Sequence, residues 1–103
     1  MRPDLTSLQV DSLPRLEVGP GCYRRDIPGL PGTRAWIVEI EPGCTWPFPD
    51  QHDAAGEIVL VMSGELIDGD QVFGPGSYIT YGANSVHQPR SDTGVRLFGL
   101  NAA

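Results

Sequence analysis

Apolar residues along this chain come in short runs, each closed off by turn-forming residues. The runs "RAWIVEI" (34–40), "EIVLVM" (57–62), "ELI" (65–67), "QVF" (71–73), "SYITY" (77–81) and "VRLFGL" (95–100) are rich in β-branched and aromatic residues. Between them stand "EPG", "SG", "DGD", "GPG", "YGANS" and "SDTG". No window keeps an apolar helical period for three turns without a breaker. Many short strands with regular punctuation predict an all-β protein, an antiparallel sandwich or barrel. "IDGDQVF" reads as a tight hairpin, because Asp-Gly favours positive φ in a two-residue turn.

Period two also sorts side chains by face. Val59 and Val61 share parity with Glu57 and are expected to point inward, while Ile58, Leu60 and Met62 point to the other side, as a sandwich layer or a dimer surface. In "WPFPDQH", Trp46, Phe48, Asp50 and His52 fall on one face of a strand read through that stretch. Ionisable groups then share a face with aromatics, which an ordinary core strand does not do.

Composition narrows the options. The chain has 103 residues and 40% hydrophobic residues, so a single domain with a modest core is expected over residues 1–103. Residues 1–18 are expected to form an arm or an extra strand. The net charge is −6 with only seven basic residues, which argues against a nucleic-acid partner. No apolar stretch is long enough to span a bilayer, and the N-terminus lacks the pattern of a signal peptide, so a cytoplasmic, non-membrane protein is expected. The two cysteines, Cys22 and Cys44, lack metal-binding or redox spacing and are read as free thiols, with a disulfide as the alternative.

The chemistry-bearing residues are few. The only two histidines are His52 and His87. His52 stands two residues after Asp50, and Glu57 opens the next strand after the small-residue turn Ala54-Ala55-Gly56. Glu57 precedes an apolar run, so its surroundings are expected to be buried, and a buried carboxylate calls for a partner such as a cation. His52, Glu57 and His87 would make a two-histidine, one-carboxylate set that leaves coordination positions open. Asp50 would be a fourth ligand or a general base, or would instead close the turn after Pro49. Trp46, Phe48 and Val59 would wall a pocket beside the ion, or the aromatics would simply pack the core. Tyr78 and Arg90 are candidates to hydrogen-bond a substrate oxygen, or serve the surface.

The segment from Gly43 to His87 resembles the cupin family. Gly43 leads the first motif, Asp50-Gln51-His52 stands where His-x-His is usual, and Glu57 precedes Gly64 by the expected gap. "GPGSYITYGANSVH" is similar to the second motif, with His87 as its last ligand. The pattern over residues 34–100 looks most like the ChrR-type anti-sigma cupin domain and dihydroxyacetophenone dioxygenase-like cupins. The sequence departs from the family in carrying Asp50 for the first histidine and Gly82 where many members have proline.

The resemblance implies a cupin double-stranded β-helix, a jelly-roll barrel. It also implies a divalent metal (iron, zinc, manganese or nickel), a homodimer, and a small oxygen-bearing organic ligand handled by dioxygenase-like chemistry. An isomerase or lyase, a non-catalytic sensor module and a vestigial cupin are the alternatives.

Overall fold

The structure is a computed structural model; it describes residues 4–51 and 56–102, with residues 50 and 51 described by their backbone alone. A short 3-10 turn, Val10–Ser12, precedes twelve strands: β1 Leu16–Gly19, β2 Cys22–Ile27, β3 Thr33–Ile40, β4 Cys44–Thr45, β5 Asp50–Gln51, β6 Glu57–Gly64, β7 Leu66–Asp68, β8 Gln71–Phe73, β9 Tyr78–Tyr81, β10 Val86–His87, β11 Arg90–Ser91 and β12 Val95–Ala102. They form a six-stranded sheet in the order β1-β2-β3-β12-β6-β9, a four-stranded sheet β4-β11-β7-β8, and a two-stranded ladder β10-β5. All these pairings are antiparallel. The architecture is the expected all-β jelly roll, built from separate ladders and not from one continuous closed barrel. Among the described residues no helix is long and apolar enough to cross a membrane.

The core follows from the period of the strands. Val59 and Val61 of β6 are buried, while Leu60 and Met62 between and after them are exposed. The inward residues Val38 and Ile40 of β3 and Val95 and Leu97 of β12 join them. Leu66 of β7 and Trp46 reach the same cluster from the other side, so the core sits between the two larger sheets. The hairpin at residues 68–71 pairs Asp68 with Gln71, and Gly69 is at φ 62°, the positive φ that a two-residue turn demands.

One expectation needs correction. Residues 46–51 do not form one strand: β4 ends at Thr45, β5 begins at Asp50, and residues 46–49 lie between them outside any strand. Pro47 and Pro49 are the reason, since neither can donate to a ladder. Strand β1 covers Leu16–Gly19, and the residues just before it are held by side chains. The Arg25 guanidinium donates to the carbonyls of Asp11 (3.1 Å) and Leu13 (2.8 Å), and Arg96 pairs with the Asp11 carboxylate. Residues 11–13 are thereby tied to the outer face of the large sheet, where Ile37, opposite Arg25 in the ladder, is buried.

Candidate functional site

A cavity of about 660 Å³ opens between the sheets. Its floor is apolar, with Val59, Leu66 and Leu97 among its lining residues, and Glu57 and His87 add a carboxylate and an imidazole. Both arrive there for local reasons. Gly56 has φ +77°, and a Cβ on it would overlap the backbone carbonyl oxygen of Tyr81. Only glycine lets the chain enter β6 this close to β9. Glu57 then pairs with Tyr81 on one side and Asn101 on the other, and shares the inward parity of Val59 and Val61.

His87 is delivered by the turn at residues 82–85. Asn84 takes φ 62°, a conformation its short amide side chain tolerates. The Ser85 amide (3.2 Å) and hydroxyl (2.7 Å) both donate to the Gly82 carbonyl. The chain thus reverses into β10, with His87 at its second position. β10 pairs with β5, and Asp50 stands opposite His87 in that ladder. His52 and the side chain of Asp50 lie outside the described residues. Among the described residues no group of three or more His, Cys, Asp or Glu side chains converges. The two donors that are described, a carboxylate and an imidazole in one cavity, are a pair that suits divalent first-row cations.

The other expected site residues divide. Trp46 is buried in the core and lines the cavity. Its amide donates to the Pro89 carbonyl (2.8 Å), and its own carbonyl accepts from the Gln88 side chain (2.9 Å), so it is tied to the chain just beyond His87. Phe48 lines the mouth at 49% exposure and meets Trp46 edge-on, with centroids 6.0 Å apart. Tyr78 is not a pocket residue in this structure. It is 64% exposed, because Ile79 and Tyr81 hold the inward parity of β9. Arg90 also stays out of the cavity lining, and its guanidinium donates to the Gly69 carbonyl at 3.2 Å, bracing the β7–β8 turn.

Several cavity residues escaped the sequence reading. Trp36 donates its indole N–H to the Asn101 side-chain oxygen at 3.1 Å, and both line the cavity. Arg24 and Arg34 line its outer part, Arg24 held by Asp26 at 2.9 Å. Their signal was present: Trp36 shares parity with Val38 and Ile40. The charged stretch "CYRRDI" that carries Arg24, however, does not look like a strand.

The thiols play no part in this cavity. Cys22 is buried, its Sγ directed at the Thr45 carbonyl at 3.4 Å, and Cys44 packs against the same core cluster; neither is in a disulfide. Burial pushes the Cys22 thiol up, and the neighbouring Cys44 and Glu41 push it the same way.

The family model of the ChrR Cupin-like domain matches residues 6–101. Comparison with curated proteins finds no significant match. Solved structures with the same fold include KdgF from Halomonas sp., at TM-score 0.78 and 21% identity over 89% of each chain. The anti-sigma factor ChrR, solved with SigE of Rhodobacter sphaeroides, aligns at TM-score 0.79 and 18% identity over 90% of this chain and 50% of that one. The polyketide cyclase RemF from Streptomyces resistomycificus aligns at TM-score 0.78 and 13% identity over 95% and 79%. Identities this low speak to the fold alone.

Proposed function

Since the chain belongs to the ChrR cupin-like domain family, we propose that it is a metal-dependent enzyme acting on a small oxygen-bearing organic molecule, with dioxygenase-like chemistry. One observation carries this reading: Glu57 and His87, far apart in sequence, line the same apolar-floored cavity. His52 is proposed as the third ligand. Asp50, opposite His87 in the ladder, is proposed as a fourth ligand or as a general base. Bound iron would supply oxygen activation, and zinc, manganese or nickel would supply Lewis acidity.

The chain's own residues do the rest. Val59, Leu66 and Leu97 keep the inner cavity apolar, which strengthens electrostatic contacts within it. Trp46 and Phe48 offer flat walls for a planar substrate. A base at Asp50 would take a proton from a substrate carbon or hydroxyl within hydrogen-bond reach. Iron-loaded protein, tested with a panel of diketones, hydroxyketones and phenols on an oxygen electrode, is expected to consume oxygen with at least one of them. No uptake with any candidate would contradict the dioxygenase assignment.

A second reading rests on the family match itself, because the model is that of the ChrR domain and ChrR was solved with a sigma factor. In that reading the cavity binds a ligand and reports it to a protein partner without turnover. Ligand binding without product would favour it.

A homodimer is also proposed. Leu60, Met62 and Tyr78 are exposed on the outer face of β6 and β9, with Leu60 opposite Tyr78, and a second copy would cover them. Sedimentation equilibrium is expected to give about twice the chain mass, falling to one chain mass in Leu60→Glu. A monomer in the wild type would refute the dimer.

A further inference from the structure

His87 is gripped from outside its own strand. Its Nδ1 lies 3.5 Å from Oδ2 of Asp68, on β7. Tyr81, at the end of β9, donates its hydroxyl to that same oxygen at 2.7 Å. The Tyr81 ring also stacks on the imidazole, with centroids 4.1 Å apart and planes 24° from parallel. The His87 side chain is 8% exposed and that of Asp68 25%. Three residues from three strands therefore form one closed unit at the edge of the cavity.

The chemistry of this unit fixes a proton. An ionised carboxylate only accepts hydrogen bonds. If Nδ1 carried a lone pair, two electron-rich atoms would face each other in a largely enclosed place. If Nδ1 carries the hydrogen, its positive end lies within electrostatic reach of the carboxylate. At 3.5 Å the pair is a close electrostatic contact that falls short of a hydrogen bond, so it orients the ring more than it stabilises the fold. The neutral imidazole then keeps its lone pair on Nε2, the nitrogen on the other side of the ring. Stacking on Tyr81 opposes rotation that would exchange the two nitrogens.

We propose that Asp68 is a positioning residue that sets the tautomer and ring orientation of His87, with Tyr81 as the latch that holds Asp68 in place. Its consequence for metal affinity rests on the metal reading above, whereas the tautomer does not. Ligating histidines commonly owe their orientation to such an outer carboxylate, and losing it typically costs about 10–100-fold in affinity. Nothing in the sequence spacing of residues 68, 81 and 87 announces the arrangement.

Nitrogen-15 histidine spectra of the metal-free protein, recorded in mildly alkaline buffer, test the claim. With only two histidines in the chain, His87→Ala assigns the signals. The wild type is expected to carry its His87 proton on Nδ1, and Asp68→Ala to move it toward a mixture of tautomers. Cobalt affinity, followed by titration, is expected to fall about 10–100-fold in Asp68→Ala. The loss should be smaller in Asp68→Asn, which keeps an acceptor oxygen, and in Tyr81→Phe. Melting temperatures of all variants separate this effect from general unfolding. A wild-type proton on Nε2, or an Asp68→Ala variant with both tautomer and affinity unchanged, would overturn the proposal. A wild type that takes up no cobalt, yet whose tautomer shifts in Asp68→Ala, would sink the metal reading and leave the positioning role standing.

Discussion

Gly64→Ala is expected to lower stability by about 3 kcal/mol or more, and the melting temperature by roughly 12–24 °C. Gly64 ends β6 opposite Val95, at φ +74°. Forcing an L-residue into that region costs about 1–2 kcal/mol. The larger effect is steric. A Cβ on Gly64 would overlap the Gly94 carbonyl oxygen and would lie 2.9 Å from the Val95 Cα. These are backbone atoms of β12 and of the residue that leads into it, so no side chain can swing aside and the start of β12 must shift. The displaced strand carries Val95 and Leu97 of the core, and overpacking of this kind costs typically about 1–3 kcal/mol. Gly43→Ala is the control: its φ is +79°, but nothing lies within 4 Å of its Cβ position. It should lose only the backbone part, about 1–2 kcal/mol. Thermal unfolding followed by circular dichroism checks both, and equal losses would mean that the close approach of β6 to β12 is not what makes glycine necessary at position 64.

His87→Ala is expected to leave a folded protein that no longer binds metal. The side chain lines the cavity against Tyr81 and Asp68 and is no member of the apolar core cluster, so its removal should cost about 1 kcal/mol of intrinsic stability. Loss of a direct ligand should exceed the roughly 10–100-fold that outer partners carry. Thermal shift gives a second readout. Free metal at about 100 times Kd stabilises a folded protein by roughly 2.7 kcal/mol, so the wild type should melt higher with added cobalt and lower again with a chelator. His87→Ala should melt at one temperature in all three conditions. A variant still stabilised by cobalt to the wild-type extent would remove His87 from the ligand set.

Much of the fold could be read from the order of residues, and the reason is periodicity. "EIVLVM" became the inner and outer faces of β6 as its alternation required, and "IDGDQVF" became the β7–β8 hairpin. β2 was missed because Arg24, Arg25 and Asp26 fill positions that local propensity gives to apolar residues. Arg25 is placed by tertiary partners, Asp11, Leu13 and Glu39, which sequence periodicity cannot reveal, and Arg24 pairs with Asp26. The run from Trp46 failed in the opposite way: parity was correct arithmetic applied across Pro47 and Pro49, where no strand exists. In the site, Glu57 and Val59 were legible because they share one strand. The Asp68–Tyr81–His87 unit was not, since three strands bring it together and no local signal marks it. Tyr78, a candidate for a substrate oxygen or for the surface, is a surface residue, and its near neighbour Tyr81, on the other parity, is the tyrosine turned inward.

One ion shared by His52, Glu57 and His87 is the central expectation. An anomalous difference map, recorded at the cobalt edge from crystals of the cobalt-loaded protein, tests this most directly. It should contain a single strong peak in the cavity, about 2.0–2.2 Å from the His87 Nε2, a Glu57 carboxylate oxygen and a His52 ring nitrogen. No peak in the cavity, or a peak that touches none of the three, would contradict it.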